Sequence, residues 1–162
     1  MHPRQIAELL ILLTIANGAP VIAKKLLGDW LSQPLDGGLR LGDGQRLFGR
    51  SKTVRGVVLS IVATSAFAPL LGIDYTTGML VAVAAMAGDL LSSFTKRRLH
   101  LQSSTMFIGL DQIPECLLPA IAARDALSLS LIDILLAAVI FLFGELAVSR
   151  VLYALRIREH PY

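Results

Sequence analysis

Charge is the first thing this sequence is short of. Only 17% of its 162 residues are Asp, Glu, Lys or Arg, whereas 54% are hydrophobic. Soluble domains carry roughly a quarter charged residues, so the polar surface needed to cover a soluble globule of this length is missing. Mean hydropathy is +0.66. Aromatic residues are scarce too, at 6%, and the apolar mass is Leu, Ile, Val and Ala. That argues against a transmembrane barrel, whose strands show alternating segments of about ten residues. A single cysteine, Cys116, excludes an internal disulfide and a Cys-based zinc site. His2, His100 and His160 form no cluster in the sequence, which supports neither a histidine metal site nor a catalytic triad. No cleavable leader is expected, because the first apolar run is long enough to span and lacks a small-residue cleavage site.

Long apolar runs are what the chain does have. About 20 such residues cross a bilayer, and five segments approach that length: about 5–26, 54–71, 76–95, 105–123 and 130–155. The expectation is an all-α, polytopic membrane helical bundle, one integral domain over 1–162 with five transmembrane helices. The Asn17-Gly18-Ala19-Pro20 run is expected to break the first helix, and Asp111, Pro114, Glu115 and Pro119 interrupt the fourth. Short turns at 72–75 and 124–129 make antiparallel hairpins, so the two longer polar segments, 27–53 and 96–104, fall on one side. Of the 15 lysines and arginines, Arg156 and Arg158 included, only Arg4 and Arg124 fall on the other. The positive-inside rule then makes both loops and the C-terminus cytoplasmic, with the N-terminus outside, in the cell's inner membrane. Trp30 reads as an interfacial anchor.

Three constellations carry chemistry. In Gly88-Asp89-Leu90-Leu91-Ser92-Ser93-Phe94-Thr95-Lys96-Arg97-Arg98, helical spacing puts Asp89, Ser93 and Lys96 on one face. A basic triplet alone is what a stop-transfer anchor looks like, but a carboxylate inside a span is costly and is by default functional or paired. In Gly109-Leu110-Asp111-Gln112-Ile113-Pro114-Glu115, Asp111 and Glu115 share a face, where like charges repel unless a cation bridges them. Magnesium takes oxygen ligands, commonly one or two carboxylates plus substrate phosphates. The third is the loop Pro34-Leu35-Asp36-Gly37-Gly38 followed by Asp43–Gly56, whose glycines allow close backbone approach and whose Arg46, Arg50, Lys52 and Arg55 suit phosphate. A solvated loop facing lipid headgroups has the same composition. Gly44-x4-Gly49 imitates a P-loop, but Arg50 and Ser51 spoil the spacing. Asn17 is suited to an interhelical hydrogen bond or to a ligand.

Taken in order, Asn-Gly-x-Pro, Pro-Leu-Asp-Gly-Gly, Asp-Gly-x-Arg-x2-Gly-x2-Lys-Thr-x-Arg-Gly, Gly-Asp-Leu-x2-Ser-Phe-x-Lys-Arg-Arg and Leu-Asp-Gln resemble the CDP-archaeol synthase family, relatives of the CDP-diacylglycerol synthases. The resemblance covers about 17–115, and its most specific part is 88–98 followed by Leu110-Asp111-Gln112. It implies transfer of a cytidylyl group from CTP to a membrane lipid phosphate, with Mg2+, at the cytoplasmic leaflet. By that resemblance Asp89 and Asp111 are metal ligands, and with Lys96 they are the catalytic set. The expected substrate-binding residues are Asn17, Arg46, Lys52, Thr53, Arg55, Ser93, Arg97, Arg98 and Gln112. The stretch after Arg98 and the Ile113-Pro114-Glu115 run depart from the archaeal pattern, which suggests a bacterial branch and leaves the lipid open. The reading also leaves room for a homodimer.

The residues are consistent with that chemistry. A lipid phosphate is anionic at neutral pH and needs no general base, so the missing histidine is no obstacle. Positioning and charge neutralisation suffice. The competing classes are a small transporter or ion-path protein, with Asp89, Asp111 and Glu115 lining the path, and a non-catalytic relative that binds lipid or nucleotide.

Overall fold

The computed structural model describes residues 1–101 and 107–154, apart from the side chains of Leu152 and Ala154. Part of the second polar segment, the start of the expected fourth span, the end of the fifth, Arg156 and Arg158 lie outside the described residues. Among the described residues five helices follow one another: α1 Pro3–Leu27, α2 Val54–Phe67 (continued by a 3-10 turn, Ala68–Leu71), α3 Tyr75–Arg98, α4 Gln112–Ala122 and α5 Leu131–Ala154. Among the described residues four segments are long and apolar enough to cross a membrane: Pro3–Leu27, Val54–Leu71, Tyr75–Arg98 and Leu131–Val151. They match the expected spans to within a few residues. This is a membrane protein.

The fourth expected span is the exception. Helix α4 has only 11 residues and rises about 16 Å, roughly half a hydrocarbon core. Two side chains cut it short. Asp111 Oδ2 accepts from the Phe107 N–H at 2.9 Å, and Gln112 Oε1 accepts from the Gly109 N–H at 2.8 Å, with Gly109 at φ 88°. These bonds hold 107–111 as a turn where hydropathy alone predicts helix.

Helix α1 departs in the opposite sense. It runs unbroken through Pro20. Proline has no N–H to give the Ala16 carbonyl, and Ser60 of α2 donates its hydroxyl there instead, at 2.8 Å. Gly56 lies against the same proline, where a Cβ would come 3.2 Å from Pro20 Cβ. The residue expected to break α1 is thus where α2 docks.

Small residues set the remaining packing, as expected where lipid supplies no hydrophobic drive between helices. A Cβ on Gly88 would lie 2.3 Å from the Pro114 carbonyl oxygen, and one on Gly78 2.6 Å from Ala68 Cβ. Leu9, Leu12 and Leu13 of α1, Val81, Ala82 and Ala85 of α3, and Cys116 and Ala120 of α4 are fully buried. Val58, Val62, Leu135 and Phe143 point outward, as they would toward lipid.

At one end, the N-terminus and both short turns meet: Arg4, Glu8, Asp74 and Leu127 line a single shallow cavity. There Asp133 accepts from His2 N, Ser130 N and Ser130 Oγ, and pairs with His2 Nδ1 at 2.8 Å. Glu8 pairs with Arg4 inside its own helix, not between helices. The opposite end carries the loop 28–53. Its two ends are joined by Leu35 N to Lys52 O at 2.8 Å and Val54 N to Gln33 O at 3.1 Å.

Candidate active site

The loop is built around Asp36. Its carboxylate accepts from the N–H groups of Gly38, Phe48 and Gly49, and Arg46 Nη1 stands 3.8 Å away. Burial by itself would push this carboxyl up; the three N–H groups and Arg46 outweigh it and hold the group below its ordinary value. Arg98, at the end of α3, clamps the loop from beneath. It donates to Asp43 at 2.9 Å and to the Arg46 carbonyl at 2.8 Å, and its guanidinium lies over the Phe94 ring. From α2, Arg55 donates to the carbonyls of Gly28 and Trp30. Thr53 caps α2, accepting from Gly56 N at 3.1 Å. Four residues assigned to substrate in the sequence, Arg46, Thr53, Arg55 and Arg98, are therefore the ones that fix the loop.

What the loop delivers is Lys52. Its Nζ lies 2.5 and 2.6 Å from the two oxygens of Asp89 on α3. Burial would favour the neutral amine, but Asp89, with Glu115 and Asp111 behind it, raises Lys52 above the ordinary lysine value. Asp89 stands nine residues before the end of α3, about 13 Å along the helix, so the pair sits inside the bundle and below the loop. One face of α3 then carries buried Ser93 and Lys96, and Lys96 Nζ pairs with Asp111 Oδ1 at 2.7 Å. Helix α4 runs antiparallel to α3, which places Asp111 by Lys96 and Glu115 by Asp89.

Glu115 is 6% exposed. Asn17 Nδ2 of α1 donates to its Oε2 at 3.2 Å. Asp111 and Glu115 take different partners, Lys96 of α3 and Asn17 of α1. Gln112 and Arg97 are also buried, and the Gln112 Nε2 and Arg97 Nε atoms have no hydrogen-bond partner. Of the sequence-predicted site, the fold gathers Asn17, Lys52, Asp89, Ser93, Lys96, Asp111 and Gln112 at the loop end of α3.

The donor set bears on a metal. Among the described residues no group of three or more His, Cys, Asp or Glu side chains comes together, which speaks against an all-protein cage. Magnesium does not need one: one or two carboxylates suffice where water and substrate phosphate complete the shell. Each aspartate already holds an ammonium group, and Lys52 straddles both oxygens of Asp89 as a cation would. Asp89 and Asp111 thus fit an ion shared with a phosphate ligand.

Known proteins resemble this chain over most of its length. A family model described as CDP-archaeol synthase matches residues 64–162. The CDP-archaeol synthase of Pyrobaculum calidifontis is 36% identical over 154 residues, covering 91% of this chain and 91% of that protein. That of Pyrobaculum arsenaticum is 30% identical over 153 residues, covering 91% and 92%. Among solved structures, an intramembrane enzyme for archaeal membrane lipid biosynthesis superposes with a TM-score of 0.67 at 26% identity, covering 85% of this chain and 90% of that one. These relatives are archaeal and lend nothing to a bacterial branch.

Proposed function

The chain belongs to the CDP-archaeol synthase family, and from that premise we propose how its residues make a CDP-activated lipid from CTP and a membrane lipid phosphate. The observation that carries the proposal is the half-buried pairing of Lys52 with Asp89 and the buried pairing of Lys96 with Asp111 beneath an ordered loop. An oxygen of the lipid phosphate attacks the α-phosphorus of CTP. The bond from that phosphorus to the oxygen bridging to the β-phosphate breaks, and pyrophosphate leaves with the bonding electrons. The attacking oxygen is already ionised, so no side chain has to remove a proton.

Asp89 and Asp111 are the residues that would hold Mg2+, which when bound neutralises the triphosphate. Lys52 and Lys96 exchange their carboxylate partners for phosphate oxygens as substrate enters. Arg97, Ser93 and Gln112 supply further donors to the substrates, while Arg46, Thr53, Arg55 and Arg98 keep the loop in place. CTP comes from the cytoplasm, which fits the basic loop end facing inward in the cell membrane and the N-terminus facing out. An ion path is disfavoured, since the carboxylates of Asp89 and Asp111 are each closed by an ammonium group.

Purified protein incubated with radiolabelled CTP, Mg2+ and a panel of archaetidic and phosphatidic acids tests this reading. The expected result is a labelled CDP-lipid and one pyrophosphate per turnover with at least one lipid class. No product with any lipid would sink it.

A further inference from the structure

On the outer side of the bundle, a cavity of about 320 Å3 opens between the end of α1 and the start of α2. Leu27, Trp30 and Leu31 form one wall, and Val54, Val58 and Leu59 form the other. Val54 and Val58 belong to the exposed face of α2, the one that Val62 continues toward lipid. The cavity is therefore a groove in the bilayer-facing surface. The ion pairs of Asp89 and Asp111 lie elsewhere, on α3 and inside the bundle, and no step of cytidylyl transfer uses the groove.

The first wall is held in a strained form. Leu31 has φ 54°, a left-handed backbone that a residue with a Cβ rarely adopts and keeps only where its surroundings fix it. Arg55, which also lines the groove, does the fixing by donating to the carbonyls of Gly28 and Trp30. Trp30 is left 67% and Leu31 55% exposed beside the recess. An apolar recess left empty forfeits the dispersion contacts of its lining, and in a membrane the material that restores them is a hydrocarbon chain. Two backbone hydrogen bonds tie the groove to the site. Val54 N donates to the carbonyl of Gln33, another lining residue, at 3.1 Å, and the next rung is Leu35 N to Lys52 O at 2.8 Å. Lys52 is the residue that meets Asp89. We propose that the groove holds one hydrocarbon chain of a bilayer lipid other than the substrate, and that the bound chain steadies the pairing of 33–35 with 52–54 behind Lys52.

Trp30 is the only tryptophan of the chain, so its fluorescence reports on the groove directly. The probe is phosphatidylcholine brominated in its acyl chains, added to the purified protein in a steroid detergent, which has no alkyl chain of its own. Phosphatidylcholine has no phosphate monoester and cannot accept a cytidylyl group. Quenching by bromine is expected to saturate and to be reversed by unbrominated phosphatidylcholine. Val58→Phe, which fills the groove, should weaken binding roughly tenfold or more, the scale of an overpacked site. Val62→Phe, one turn along the same face, should bind as the parent protein does. Lipid at about ten times its dissociation constant should slow proteolysis across 28–53 roughly tenfold in the parent protein, and not in Val58→Phe. Quenching that climbs in proportion to lipid without saturating would overturn the proposal, leaving Trp30 an interfacial anchor. Saturation by brominated phosphatidic acid but not by phosphatidylcholine would also overturn it, since the groove would then serve the substrate. So would equal behaviour of the two phenylalanine variants. Reversal by unbrominated lipid is read on the parent protein and needs no variant to fold. None of these readouts requires turnover, so a protein that makes no CDP-lipid would sink the functional reading while the quenching still decides the groove.

Discussion

At the end that carries the N-terminus and the two short turns, Asp133 accepts from His2 and Ser130, and its side chain is fully covered. At the loop end, Asp89 holds Lys52, and Asp111 holds Lys96. Both ends pair charged groups across elements far apart in sequence, yet they differ in what a ligand could do with them. Asp133 is bound by main-chain N–H groups as well as side chains, and these cannot swing away. The partners of Asp89 and Asp111 are lysines on long stems, which can change partner without disturbing a helix. The turn end is a latch, whereas the loop end is a set of exchangeable ion pairs backed by fixed helices.

Breaking the two ends separately should give different phenotypes, and the largest effect is expected at the loop end. Lys52→Met should lower turnover roughly a hundredfold, the scale for removing one group that stabilises charge in the transition state. Thermal unfolding of the detergent-solubilised variant should change little, since the loop keeps its Asp36 and Arg98 anchors. Next in size is Gly88→Ala. It forces α3 and α4 apart where they touch, at a cost of about 1–3 kcal/mol, and should lower both stability and turnover. Asp133→Asn should do the reverse of Lys52→Met, lowering the unfolding midpoint and leaving turnover per folded molecule unchanged. A loss of specific activity in Asp133→Asn would erase the distinction between the ends.

The smallest effect is a pH dependence of the loop. Asp36 is held below its ordinary value in the folded protein, so the stability it contributes is fully present above that ordinary value. It fades as pH falls through the lowered one. Limited proteolysis across 28–53 should therefore speed up only in acid. Asp36→Asn should be cleaved faster at neutral pH and show a flatter acid dependence.

The long helices were legible because each has only one physical demand on it, a stretch of apolar residues long enough to cross lipid. Helix α4 was not, since its length is set by Asp111 and Gln112 bonding back to the N–H groups of Phe107 and Gly109, which a hydropathy window does not register. Pro20 misled for a related reason: whether a proline breaks a helix depends on who satisfies the carbonyl it frees, and Ser60 lies 44 residues away. At the site, motif order singled out Asp89, Lys96, Asp111 and Lys52, and the fold pairs them. It assigned Arg55 and Arg98 to phosphate, because charge in a basic loop carries no mark of its partner. Only the fold shows that backbone carbonyls and Asp43 have already taken them.

The central claim is that the two loop-end aspartates serve chemistry and not folding. It is tested most directly by the turnover of Asp89→Asn and Asp111→Asn, each purified from the membrane and matched to the parent protein in yield and unfolding midpoint. The account predicts that CDP-lipid formation is abolished in both while insertion and stability are kept. Turnover near the parent level in either variant would contradict it.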